Sequence, residues 1–148
     1  KSAVNILIKS RLKKNAPEVS RIRARLNILM TAAGLRIEEV SLLFVGDKAM
    51  RSLNRKFRGQ DRTTDVLSFP FREGPYADIQ RQVLGDIVIS LPTAQRQAKE
   101  DRMALSHVID RLLVHGLLHL LGYDHERGVA DARRMQAQER RLLMAMNQ

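Results

Sequence analysis

The order of elements legible in the chain predicts an α+β domain, with one mixed sheet of about four strands covered by about five helices. Three observations carry that expectation. Short apolar runs, strand-like in length, alternate with helical patterns in the first half of the 148 residues, and helical periodicity dominates the end. Apolar residues make up 44% of the chain, enough for a real core at this length. No Gly/Ser/Pro linker, internal repeat or low-complexity tract divides it, so residues 1–148 are expected to form a single domain.

Val4–Ile8 is a short run rich in β-branched residues and reads as the first strand. Pro17 and Glu18 open a helix in which Val19, Ile22, Leu26, Leu29 and Met30 recur at helical spacing, closed by Gly34. Leu26, Leu29 and Met30 are assigned to the core, and Arg21, Arg23 and Arg25 to the opposite flank. Val40–Val45 is the second strand, ended by Gly46. Asp47 is a candidate cap for a helix that runs to about Phe57, before the Arg58-Gly59 break. A loop from Arg58 to Thr64 leads to a third strand at Val66–Phe71, limited by Pro70, with Thr64 and Asp65 shaping its start. Residues 72–84, with Gly74 and Pro75, read as a loop. Ile87–Ser90 is the fourth strand, and Pro92 starts a polar helix of about ten residues. Two helices follow, at about Met103–Leu121 and Val129–Met146, the last with Met135, Leu142, Leu143 and Met146 as its apolar stripe.

Composition excludes several classes. Cysteine is absent, so disulfides, thiolate zinc sites and cysteine nucleophiles are ruled out together. The longest apolar runs fall far short of a membrane span, and no charged-then-apolar leader opens the chain, so a soluble, cytoplasmic protein is expected. The formal charge is +10 and the pI about 10.8. That charge is clustered. Residues 9–36 hold eight basic groups against Glu18 alone, and residues 51–62 hold five against Asp61. Clusters of this kind suit a polyanion, with backbone phosphates as the target. The scarcity of aromatics (two Tyr, four Phe, no Trp) argues against a base-stacking platform.

Three of the four histidines fall within eleven residues, in His115-Gly-Leu-Leu-His119-Leu-Leu-Gly122-Tyr-Asp-His125. His115 and His119, four apart on a helix, project from one face and can share one metal ion. Gly122 can end the helix in a left-handed turn, and that reversal can bring His125 round as a third ligand. Burying two imidazoles on a leucine-rich helix without partners would cost a few kcal/mol, which a metal would relieve. His107, without that spacing, is assigned a structural role. The offsets match the zinc-protease pattern H-E-x-x-H-x-x-G-x-x-H except at its second position, where Gly116 replaces the glutamate base. Gly116 cannot take a proton, so peptide hydrolysis by that mechanism is not expected.

The segment HGLLHLLGYDH at residues 115–125 resembles the H-G-x-L-H-L-x-G-Y-D-H signature of the YbeY family, the bacterial rRNA-maturation endoribonucleases. FRGQDRTTDVLSFPF at 57–71 is similar to that family's arginine-to-LSFP segment, and LGDIVIS at 84–90 to its following strand. The likeness runs from about Asn5 into the C-terminal helix. It implies a zincin-like fold and one divalent ion, zinc foremost, held by His115, His119 and His125. It also implies cleavage specific for single-stranded RNA, in maturation of the 16S rRNA 3′ end and in ribosome quality control, with the small ribosomal subunit and its proteins as partners. The family's functional arginine falls on Arg58, the expected catalytic residue, where a guanidinium fork beside a metal suits the charge of a scissile phosphate. Asp124, beside a ligand, suits a supporting or capping role. The water-activating base stays open between Asp124, metal-bound hydroxide and the RNA 2′-hydroxyl. The alternative function is a non-catalytic, zinc-stabilised assembly factor that binds rRNA.

Overall fold

The computed structural model describes residues 4–14, 17–71 and 82–148. Its elements are β1 (Asn5–Ser10), α1 (Val19–Ala32), β2 (Glu39–Val45), α2 (Asp47–Arg58), β3 (Val66–Pro70), β4 (Val83–Ser90), α3 (Leu91–Asp101), α4 (Leu105–Leu120) and α5 (Val129–Met146). Among the described residues, four strands and five helices are the expected α+β inventory. The sheet order is β1-β2-β4-β3, with β1, β2 and β4 parallel and β3 antiparallel to β4, so the sheet is mixed and β3 is an edge.

Alternation along the strands divides the core in two. Ile6, Val40, Leu42, Phe44, Ile87 and Ile89 meet Leu26, Leu29 and Met30 of α1, most of α4, and Met135, Leu142 and Met146 of α5. Leu43, Val45, Leu67, Phe69 and Val88 point the other way and pack under Met50 and Leu53 of α2. α4 is apolar almost all round because it lies between the sheet and three other helices, α1, α3 and α5. Its placement puts the histidine end of α4 beside the edge strand β3.

Three expectations change. Gly46, not Asp47, is the N-cap of α2. Asp47 is instead the first helical residue, and its carboxylate accepts hydrogen bonds from Ser90 Oγ and Thr93 Oγ1, each at 2.7 Å, and pairs with Arg96 at 2.8 Å. Three donors from β4 and α3 outcompete one local cap. The fourth strand starts at Val83, four residues early, because β2 pairs it from Val83 and β3 from Gly85; of the expected 72–84 loop, residues 72–81 lie outside the described residues. Arg25 is not a free surface cation. Its guanidinium donates to both oxygens of the buried Asp110, at 2.7 and 3.2 Å, and to Met146 O at 2.8 Å, tying α1, α4 and α5 together.

Candidate functional site

α4 ends in a Schellman turn: Gly122 N donates to His119 O and Tyr123 N to Leu118 O. Gly122 adopts φ +99°, a value that disfavours any side chain, so the reversal expected there depends on glycine. The returning loop is held by Arg127, which donates to Gly122 O at 2.8 Å, and by Asp124, which accepts from Glu126 N at 2.9 Å. Asp124 therefore braces a turn within the loop and caps no helix, and that backbone hydrogen bond is the main reason its carboxyl lies below the usual carboxylate range.

The reversal brings the three imidazoles together. Ring centroids are 4.6 Å apart for His115 and His119, and 5.4 Å for each of these with His125. One nitrogen from each ring falls within 4.8 Å of the others. Nitrogens so placed can reach a single ion at metal–nitrogen distances of about 2.0–2.1 Å. An all-imidazole set suits the borderline transition metals and not calcium or magnesium. Burial first, then the neighbouring His115 and His125, pulls His119 below the usual imidazole value, so the ring is neutral and its lone pair available near pH 7.

One supporting residue had no visible signal in the sequence. Glu139, on α5, lies 24 positions beyond His115, and its Oε2 is 3.3 Å from His115 Nδ1. A carboxylate can only accept, so Nδ1 carries the proton and Nε2 turns its lone pair toward the cluster. Gly116 has a packing reason as well as a chemical consequence. A Cβ there would sit 2.9 Å from Ile87 Cγ2, and its carbonyl accepts from Ser68 Oγ at 3.0 Å. Position 116 therefore faces the sheet, with no room for a glutamate base.

A cleft of about 780 Å³ opens in front of the histidines. β3 and the 60–65 loop form its other wall, and Arg58, Arg62 and Arg127 line it with the three imidazoles. Arg58, at the end of α2, donates from Nη2 to Ser68 O at 2.6 Å, with its guanidinium carbon 5.2 Å from the centre of the Phe69 ring. The buried Asn54 holds the loop behind it through a 2.9 Å bond to Arg62 O. All four expected site residues, Arg58, His115, His119 and His125, thus share one cleft. Among the described residues, none of the basic groups of 9–36 lines it.

Helix, reversal and converging imidazoles define the class: an α+β domain whose three-histidine donor set opens on a cleft walled by an edge strand. Comparison with known proteins agrees. A family model described as Endoribonuclease YbeY matches residues 6–147. The chain belongs to the YbeY family. It is similar to an Anaeromyxobacter protein named endoribonuclease YbeY, at 52% identity over 84% of this chain and 63% of that one. The Geobacter sulfurreducens protein of the same name is 41% identical over 94% of this chain and 93% of its own. The chain therefore spans less than two thirds of the Anaeromyxobacter relatives and nearly all of the Geobacter one. The solution structure of TM1509 from Thermotoga maritima superposes with a TM-score of 0.64 at 27% identity, covering 95% of this chain and 88% of that one. Among the described residues, no helix is long and apolar enough to cross a membrane.

Proposed function

We propose that this protein is a metal-dependent endoribonuclease, specific for single-stranded RNA, that acts on 16S rRNA near its 3′ end during small-subunit maturation and quality control. The observation that carries the reading is the sharing of one cleft by three converging imidazoles and Arg58. The names of the family relatives supply the reaction class. Residues 1–148 act as one functional unit, and an rRNA substrate places that unit in the cytoplasm with the small subunit and its proteins as partners.

In this reading His115, His119 and His125 hold one zinc ion. Bound there, the ion supplies Lewis acidity toward a phosphate oxygen. The chain's own residues do the rest. Glu139 fixes the His115 ring so that Nε2 faces His119 Nε2, where it would be free to hold the ion. Arg58 donates from Nη2 to Ser68 O and from Nη1 to Phe57 O, and its N–H groups not engaged there hold phosphate oxygens as charge gathers on them. Arg62 and Arg127 add positive potential along the strand's path. Gly116 leaves no carboxylate at the protease base position, which directs the site away from peptide hydrolysis.

The test is cleavage of single-stranded RNA by highly purified, metal-quantified protein, wild type beside His115→Ala, with and without chelator. Cutting that chelator and His115→Ala both abolish is expected. Equal cutting by the two proteins would mark a contaminant and leave a non-catalytic, RNA-binding assembly factor as the better description.

A further inference from the structure

Aromatic side chains are scarce here, and the structure pairs two of them beside Arg58 at the edge of β3. The pair lies outside the cleft lining, to which Tyr123 contributes the one Phe or Tyr ring among the described residues. Of the four phenylalanines, Phe44 is fully buried in the core. Phe57, on the last turn of α2, is 49% exposed. Its ring meets Phe69 of β3 edge to face, with centroids 5.2 Å apart and planes at 71°. Cations flank the pair. Lys56 Nζ is 5.2 Å from the Phe57 centroid, and the Arg58 guanidinium is 5.2 Å from that of Phe69.

Phe69 lies on the α2 side of the sheet, whereas Ser68 O, which Arg58 holds, belongs to the strand that walls the cleft. Arg58 therefore bridges the histidine cleft and the aromatic pair around the edge of β3. A chain leaving the cleft over that edge meets a guanidinium first and an exposed, braced ring next. Alternating cation and aromatic face is the chemistry of a nucleotide, with phosphate on the cation and base on the ring. Phe69 behind it limits the ring's motion, so a base stacking there loses little to side-chain ordering.

We propose that Phe57 is the stacking platform for one unpaired nucleobase of the RNA, whose adjoining phosphate Arg58 holds. This rests on the RNA reading above and supplies a physical source for strand selectivity, since a base inside a duplex has no free face to offer. It is compatible with the scarcity of aromatics, which argues against an extended stacking platform: one base needs one ring, and this ring adjoins Arg58.

The chain has no tryptophan, so Phe57→Trp creates a single tryptophan at the platform, which can be excited apart from the two tyrosines. Phe57→Trp carrying His115→Ala, metal-free and therefore unable to cut, is titrated with a short single-stranded RNA and with an abasic oligonucleotide of equal length. Quenching by the RNA and little by the abasic strand is expected; Met144→Trp, on the exposed flank of α5, is expected to show neither. In parallel, Phe57→Ala should lower kcat/KM on single-stranded RNA about 10-fold, the scale of one lost stacked base, with Phe57→Tyr near wild type. Equal quenching by both strands, or absent quenching together with wild-type cleavage by Phe57→Ala, would overturn the platform while leaving the nuclease reading intact. Failure of the wild-type protein to bind or cut any RNA would overturn that reading and the platform with it.

Discussion

The two basic stretches look alike in the sequence and behave differently in the fold. In residues 9–36, Arg25 is committed to Asp110 and Met146 O, and Arg23 donates to Ile6 O, so these arginines fasten α1 to α4, α5 and β1. In residues 51–62, Arg51 pairs with Asp61 at the surface, but Arg58 and Arg62 reach the cleft. The difference between Arg25 and Arg58 lies in the acceptors each finds, a buried carboxylate for one and backbone carbonyls for the other. A guanidinium that meets a buried carboxylate inside its own fold is structural, and only those left over are available to a phosphate. Net charge by segment is therefore an upper limit on what a polyanion can meet.

Paired alanine substitutions give the largest contrast. Arg58→Ala should lower kcat/KM for single-stranded RNA by about 10²–10³, the scale of one lost transition-state donor, with Tm nearly unchanged. Arg25→Ala should do the reverse. It strands Asp110, only 9% exposed, without its partner and should cost about 3 kcal/mol of stability, read as a lower urea midpoint. Cleavage by its folded fraction should match wild type. Loss of cleavage in folded Arg25→Ala equal to that in Arg58→Ala would erase the distinction between the two stretches.

A smaller effect separates residues that contact a metal from those that act through one. Glu139→Ala should weaken zinc binding about 10- to 100-fold in a chelator competition, whereas His115→Ala should remove it. Glu139→Gln retains an acceptor and should fall between Glu139→Ala and wild type. Unchanged affinity in Glu139→Ala would reduce the 3.3 Å contact to a surface pair.

Local spacing made most of this legible. The i, i+4 histidines, Gly122 and His125 all lie within eleven residues, so the helix repeat and one Schellman turn suffice to assemble them. The strands and helices followed from periodicity for the same reason. What escaped were contacts closed by tertiary packing. Glu139 reaches His115 only because α5 crosses α4, and Ser68 reaches Gly116 across 48 positions. Arg25 was misjudged because its partner lies 85 positions away on another helix. Arg58 was placed by family likeness, not by any local pattern. Gly116 was read for the chemistry it lacks, and its packing against Ile87 could not be seen before β4 was in place.

The smallest effect concerns a residue that serves the frame behind both the cleft and the aromatic platform. Asp47 joins α2, which carries Phe57 and Arg58, to Ser90 of β4 and to Thr93 and Arg96 of α3. The Arg96 hydrogen bond above all, helped by Thr93 and Ser90 and opposed by partial burial, lowers its carboxyl from 3.8 to about 2. A folded value below the unfolded one means the unfolded chain takes up this proton first. The contribution is then complete above pH 3.8 and is lost as the pH falls from there to about 2. Wild type and Asp47→Asn should therefore differ in Tm near neutrality and converge as the pH approaches 2. Parallel Tm curves over that interval would show that the carboxylate's charge does not hold α2 in place. Convergence, with RNA cleavage by folded Asp47→Asn reduced only modestly at neutral pH, would identify Asp47 as a brace for Arg58 and not a participant beside it.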